Sequence, residues 1–184
     1  MDFELSDDQL ALQGELRRFL ADRVTFEARR AIGELPGAVD RDLWRDLGGM
    51  GVFALTLPPA GGGVGLGLAD ATIVFEELGR SAVPGPVIGT FLAAGLAASG
   101  LDVAPAAARG DAVVGLVPAG DPAFVEHLAA LDALLVVDHG RVTVAGRPAA
   151  SRTVDRPLDP LTPVDLVDVL PAGAPAGGAE VAAR

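Results

Sequence analysis

The sequence predicts an α+β fold in which N-terminal helices precede a small β-domain. Three observations carry this. Over roughly the first hundred residues apolar side chains recur at the helical period, in runs framed by capping and stop residues. From Gly110 the runs become short, β-rich and bounded by turn residues. Within them, Asp138-His139-Gly140-Arg141 separates two apolar stretches as a hairpin turn would.

The elements follow in order. Ser6 and Gln9 have the S-x-x-Q spacing of a capping box, with Leu5 and Leu10 at the flanking staple positions. Leu12, Leu16, Phe19 and Leu20 then form one apolar helical face. A second helix is expected to open at Asp40, bury Leu43, Trp44 and Leu47, and stop at Gly48 and Gly49. "GVFALTLPP" is an apolar run closed by two prolines. A third helix is expected from Asp70 to Gly79, with Ala71, Val74, Phe75 and Leu78 on one side. A fourth is expected over about Val87 to Ala98. Further on, "DAVVGLVP", "ALLVV" and "VTVAG" read as strands, and "PVDLVDVLP" as one more, alternating Val164, Leu166, Asp168 and Leu170. The C-terminal "PAGAPAGGAEVAAR" reads as linker until helical propensity returns at Ala179. The expected division is residues 1–109 helical, 110–170 β, and 171–184 linker plus the start of another helical domain.

Composition excludes several function classes. Fourteen Lys and Arg against 25 Asp and Glu give a net charge of −11, which opposes non-specific nucleic-acid binding. The same charge means that an anionic ligand needs locally placed donors. There is no Cys, hence no disulfide, thiolate metal site or Cys nucleophile. The acidic start "MDFELSDDQL" lacks the basic and apolar regions of a secretory signal, and a cytoplasmic location is expected. Residues 81–101 carry no charge, but prolines and glycines interrupt them, so a buried helix rather than a membrane span is expected.

The glycine-rich "GGGVGLG" lacks the Lys-Ser/Thr of a phosphate loop and fits no G-x-G-x-x-G frame. Asp70, expected as the cap of the following helix, would itself occupy the free N–H groups and repel a phosphate. The loop is therefore expected to let backbones pack closely, not to cradle an anion. His127 and His139, the only histidines, lack metal-site spacing, and position 139 falls in the hairpin turn. No serine stands in a G-x-S-x-G setting. Glu76 and Glu77 point in different directions on a helix, and a solvated face is expected for them.

"MDFELSDDQLALQGELRRFL", "LWRDLGGMGVFALTLPPAGGGVGLGLADATIVFEELGR" and "PGPVIGTFLA", in this order, resemble the flavin-dependent acyl-CoA dehydrogenases. The resemblance runs from Met1 to about Gly100 and is looser from Gly110 to Leu170, where it rests on "FVEHLAALDALLVV". It implies an orthogonal helical bundle, a partial β-barrel or sandwich, and a second helical bundle. FAD and an acyl-CoA thioester would lie between them. It further implies α,β-desaturation by α-proton removal and hydride transfer to the flavin. The implied partners are an electron-transfer acceptor and other subunits in a homo- or hetero-oligomer. The family's base usually belongs to the C-terminal helical domain, so no catalytic residue is assigned here.

The same resemblance places Leu116 and Phe124 at the flavin, and Phe91 and Leu92 near the acyl-chain pocket. Each could equally be an ordinary core residue. Departures from the family pattern are Pro59 and Ala60 for a Glu-Glu pair, Val117 for Thr, Pro118 for Glu, and Glu126 for a hydroxyl residue. Loss of that hydroxyl's hydrogen bond would cost about 1 kcal/mol, and an anion beside reduced flavin more. These departures suggest an alternative, a non-catalytic subunit of a heteromeric dehydrogenase.

Overall fold

A computed structural model describes residues 4–96 and 102–176. Six α-helices are followed by seven short strands among the described residues. Helix α1 spans Asp7–Arg23, and its capping box forms as expected: the Gln9 N–H donates to Ser6 Oγ and the Ser6 N–H to Gln9 Oε1. Leu16 and Leu20 are buried and Leu12 and Phe19 pack beside them, whereas Leu5 and Leu10 at the staple positions stay exposed. Helix α2 (Phe26–Gly33), capped by the Thr25 hydroxyl, was not anticipated; it buries only Ile32, too little to leave a periodic signature. Helix α3 (Arg41–Gly49) opens at Asp40 and buries Leu43, Trp44 and Leu47 as expected. The run after it forms a buried 3-10 turn, Val52–Ala54.

The glycine loop folds back onto this turn. The N–H groups of Val64, Gly65 and Leu66 donate to the carbonyls of Ala54, Leu57 and Leu55. A Cβ on Gly63 would lie 2.1 Å from Leu57 O. Those donors are spent inside the protein, so the loop is a close backbone approach and not an anion cradle.

Helix α4 (Leu68–Arg80) begins at the Gly67 cap, two residues before the expected start. Asp70 is therefore not the cap. It sits one turn in, accepting from the Gly67 N–H at 2.9 Å and from Gln9 Nε2 at 2.8 Å. The Gln9 side chain thus closes the start of α1 and ties it to the start of α4. Those two bonds hold the Asp70 carboxyl below its ordinary value, Gln9 contributing most.

Glu77 overturns its expected solvation. It is 0% exposed and receives Arg17 Nε at 2.9 Å and Nη2 at 2.6 Å, while Glu76 stays exposed and pairs with Arg80. Residue 77 lies just outside the apolar arc of α4, and Arg17 on the neighbouring α1 supplies a bidentate partner there. Arg17, chiefly through this hydrogen bond, holds the Glu77 carboxyl below its ordinary value against burial.

Helix α5 spans Val87–Gly95, and the expected extension to Ala98 lies outside the described residues, as does the helical return at Ala179. No helix among the described residues is long and apolar enough to cross a membrane. A short helix, α6 (Val103–Ala108), leads into the β-domain.

The strands are β1 (Val114–Pro118), β2 (Ala123–Glu126), β3 (Ala133–Asp138), β4 (Arg141–Ala145), β5 (Arg152–Thr153), β6 (Val164–Val167) and β7 (Ala174–Pro175). They form two sheets, ordered β1-β3-β4-β7 and β2-β6-β5, with no closed barrel. The β3–β4 hairpin turns at His139 and Gly140, both at positive φ, as a type I′ turn requires. Strand β7, within the stretch read as linker, pairs with β4. β1 and β3 run parallel, with β2 between them in sequence but in the other sheet. In β6 the period of two holds but the face differs from the expected one. Asp165 and Val167 point inward, and Val164 and Leu166 are only half-buried. Asp165 tolerates burial because the Thr153 and Ser151 hydroxyls donate to its Oδ1 at 2.8 and 3.2 Å.

Candidate functional site

Helix α5 joins the two parts of the chain. A Cβ on Gly89 would lie 2.2 Å from Val114 O and 2.8 Å from Leu116 N, so only glycine lets the helix lie against the free edge of β1. Beside it the fully buried Thr90 accepts the Val114 N–H on its Oγ1 at 3.1 Å, which satisfies an edge donor of the strand.

Three of the four residues assigned by resemblance, Leu116, Phe91 and Leu92, belong to the elements of this joint, and Phe124 lies on β2. Along β1 the burial alternates, leaving Leu116 (40% exposed) and Pro118 outward while Val117 is in the core. Along β2 it leaves Phe124 (64% exposed) and Glu126 outward, with Ala123 and Val125 inward. Leu116 and Phe124 are therefore surface residues rather than β-core, on strands that pack against each other. Val117, one of the three strand departures, points into the core; Pro118 shares the outward face of β1 with Leu116, and Glu126 that of β2 with Phe124.

Phe91 and Leu92 line an apolar groove of about 450 Å³ between α4 and α5, together with Phe75, Leu78, Val83 and Ile88. Phe91 meets Phe75 edge-to-face, with centroids 5.1 Å apart and planes at 79°, a favoured aromatic geometry. Leu92 stands one helical turn beyond Gly89, so a single turn of α5 links the groove to the backbone of Leu116. Phe75 was expected only as part of the apolar face of its helix, and the Gly89-Thr90 joint was not anticipated. The one available signal was a glycine inside an otherwise helical run.

A second contact fixes the β-domain against the helices. His127 is buried with left-handed backbone, and its Nδ1 lies 2.8 Å from Gly37 O. A carbonyl only accepts, so Nδ1 carries the proton. Nearby, Arg41 reaches both the Asp132 carboxylate and the Ala130 carbonyl. Burial holds the imidazole below its ordinary value of 6.5, although the Gly37 bond and the charges of Glu126 and Asp159 oppose this. The unfolded chain therefore takes up a proton at higher pH than the folded one. The His127 contribution is intact above about pH 6.5 and is lost as pH falls toward the folded value. Thermal melts between pH 7.5 and 5 (chosen to bracket that value) should show a decline that His127→Asn, which tolerates the same backbone, flattens. An equal slope in the variant would refute this. His139 is exposed in the hairpin turn beside Asp138. Among the described residues no group of three or more His, Asp or Glu is placed to hold a metal.

This arrangement has known counterparts. The sequence model of the acyl-CoA dehydrogenase N-terminal domain matches residues 6–114. The chain belongs to the acyl-CoA dehydrogenase family. It is 36% identical over 162 residues to acyl-CoA dehydrogenase IpdE2 of Mycobacterium tuberculosis, covering 77% of this chain and 50% of that protein. It thus spans half the length of that relative. In fold it is similar to a chain of the ChsE4-ChsE5 complex from Mycobacterium tuberculosis. The TM-score is 0.73 at 21% identity, over 100% of this chain and 60% of that one. It is also similar to a glutaryl-CoA dehydrogenase from Mycobacterium smegmatis in complex with FADH2. There the TM-score is 0.64 at 15% identity, over 94% of this chain and 56% of that one.

FAD is the cofactor that acyl-CoA dehydrogenase membership implies, and the surface of β1 and β2 can be tested against it. The exposed Leu116 side chain and Phe124 ring suit the apolar plane of an isoalloxazine. The polar edge of the ring is less well served. Pro118 has no N–H, and an ionised Glu126 only accepts. In chemical character the exposed apolar side chains suit the plane of the cofactor, and its hydrogen-bonding edge would need other donors.

Proposed function

We propose that this chain forms the helical and β walls of an acyl-CoA dehydrogenase active site. Leu116 and Phe124 lie against FAD, and Phe91 and Leu92 against the acyl chain of a CoA thioester. FAD, when bound, supplies the two-electron acceptor for α,β-desaturation. The residues of this chain bind and orient. The apolar groove takes up the acyl chain and excludes water from it, and the α5–β1 joint sets how that chain meets the strand bearing Leu116. The observation that carries this reading is that one turn of α5 both lines the apolar groove and rests on the backbone of β1 at Leu116. The carboxylate that takes the α-proton is assigned to a further helical bundle, in cis or from a partner subunit, and an electron-transfer acceptor would complete the set of partners. Residues 1–109 act as the helical wall and the segment from 110 through strand β7 as the β wall.

Titration of the purified protein with FAD, followed by flavin fluorescence and visible circular dichroism, tests the flavin half. Saturable binding that weakens about tenfold in Phe124→Ala is expected, and binding indifferent to that change would sink the assignment. Titration of the same protein with acyl-CoA thioesters should show affinity reduced by Leu92→Asp.

A second reading has its own observation. Glu126 stands exposed on the flavin-facing side of β2 and presents an anion where the family has a hydroxyl. On that reading the chain is the non-catalytic member of a heteromeric dehydrogenase. Purification without visible flavin absorbance, and flavin uptake only with a second subunit, would favour it. Flavin retained at one per chain would exclude it.

A further inference from the structure

A net charge of −11 sets a condition on any phosphorylated ligand, namely a cation at the point of contact. The strand register points to one. In the sheet β2-β6-β5, Phe124 pairs with Leu166, and Leu166 pairs in turn with Arg152. Residues directly opposite one another in antiparallel strands project from the same face, with neighbouring strands about 4.8 Å apart. The outward face therefore carries a row of three: an exposed aromatic ring, a half-buried leucine and an arginine. The inward face carries the core residues Val125 and Val167 and the buried Asp165.

The row spans about 10 Å from Phe124 to Arg152, two strand spacings, and changes from apolar to cationic along its length. Arg152 has 65% of its side chain exposed and a single contact of 3.3 Å, from Nη2 to Asp168 Oδ1. That is longer than the bonds of a well-formed guanidinium–carboxylate pair. Among the described cations of the β-domain, Arg152 alone stands in register with Phe124. Two anions share the outward face. Asp168 competes for Arg152, and Glu126 stands in the next row, opposite Val164.

We propose that this face extends the flavin site beyond Phe124, with Leu166 continuing the apolar platform and Arg152 holding a phosphate of the flavin nucleotide. The proposal rests on the flavin reading above and adds to it a binding residue and a source for the missing positive charge. Asp168 has a corresponding role: it neutralises Arg152 while no phosphate is present and yields it when one arrives.

Three ligands separate the parts of this claim. Riboflavin has the ring without phosphate, FMN adds one phosphate, and FAD adds a pyrophosphate. The full chain and its Arg152→Ala, Arg152→Lys, Asp168→Asn and Leu166→Asn variants are titrated with each by flavin fluorescence. Trp44 emission verifies that every variant is folded, since this sole tryptophan is fully buried among the helices. The wild-type chain should bind FMN and FAD about tenfold more tightly than riboflavin, with a margin that shrinks as salt rises. Arg152→Ala should abolish the margin while leaving riboflavin within twofold, Arg152→Lys should keep part of it, and Asp168→Asn should widen it. Leu166→Asn should weaken all three ligands alike. If all three bind and Arg152→Ala leaves their ratios unchanged, the phosphate assignment is wrong and the flavin reading stands. If none binds, both are overturned.

Discussion

Gly89→Val will drive α5 away from β1 and destabilise the protein by about 3 kcal/mol, with loss of ligand binding in whatever remains folded. The magnitude follows from what the new side chain meets. At 2.2 Å from Val114 O and 2.8 Å from Leu116 N the obstacle is strand backbone, which cannot rotate aside as a side chain would. Replacing a helical glycine ordinarily gains about 1 kcal/mol of propensity at best, so the clash wins. Gly14→Ala is the matching control. It lies within α1 with nothing inside 4 Å of an added Cβ, and should stabilise by about 0.5–1 kcal/mol. Denaturant unfolding of the two variants beside the wild type checks both. A Gly89→Val protein as stable as Gly14→Ala would mean that α5 does not rest on β1.

The second large effect is expected at Arg17. Arg17→Ala strands a buried carboxylate whose remaining cation is Arg80, 3.5 Å away, and the melting temperature should fall by at least about 5 °C. The cost is that of an unpaired buried charge. Replacing both partners by apolar residues, as in Arg17→Leu with Glu77→Leu, should therefore recover most of the loss. The pH dependence has a definite sign. Glu77 is held below its ordinary value of 4.5, so the folded state keeps it ionised where the unfolded chain takes up a proton. Its contribution is complete above that value and disappears as pH falls through the lower folded one. In Arg17→Ala the deficit against the wild type should be largest near neutral pH and shrink as pH falls below about 4.5, which makes the acid limb shallower. An unchanged limb, with an unchanged melting temperature, would show that the pair contributes nothing net.

These two sites also show how far the sequence could be read. The Ser6–Gln9 box, the Leu43-Trp44-Leu47 face and the hairpin at His139-Gly140 are encoded within a few residues, and each formed where it was expected. Glu77 and Arg17 are 60 positions apart, so nothing local could reveal that a charge on α4 turns inward. Asp165 follows the same logic: alternation was correct, but the inward face was set by two hydroxyls from the preceding segment. At the candidate site, the ordered motifs pointed to Leu116, Phe124, Phe91 and Leu92. The surface exposure of the first two, and the groove shared by the others, required the packing of α5 on β1. The register that brings Arg152 beside Phe124 was equally invisible, because it depends on β6 lying between β2 and β5.

The parallel pairing of β1 with β3 bears on the order in which these parts come into being. A two-residue turn lets β3 and β4 zip together on their own, on the microsecond scale of an isolated hairpin. β1 has no such shortcut: its partner lies beyond β2, and β2 must leave for the other sheet before the two can meet. The β1–β3 pairing is therefore expected to close after the β3–β4 hairpin, and amide exchange along the two ladders would read that order.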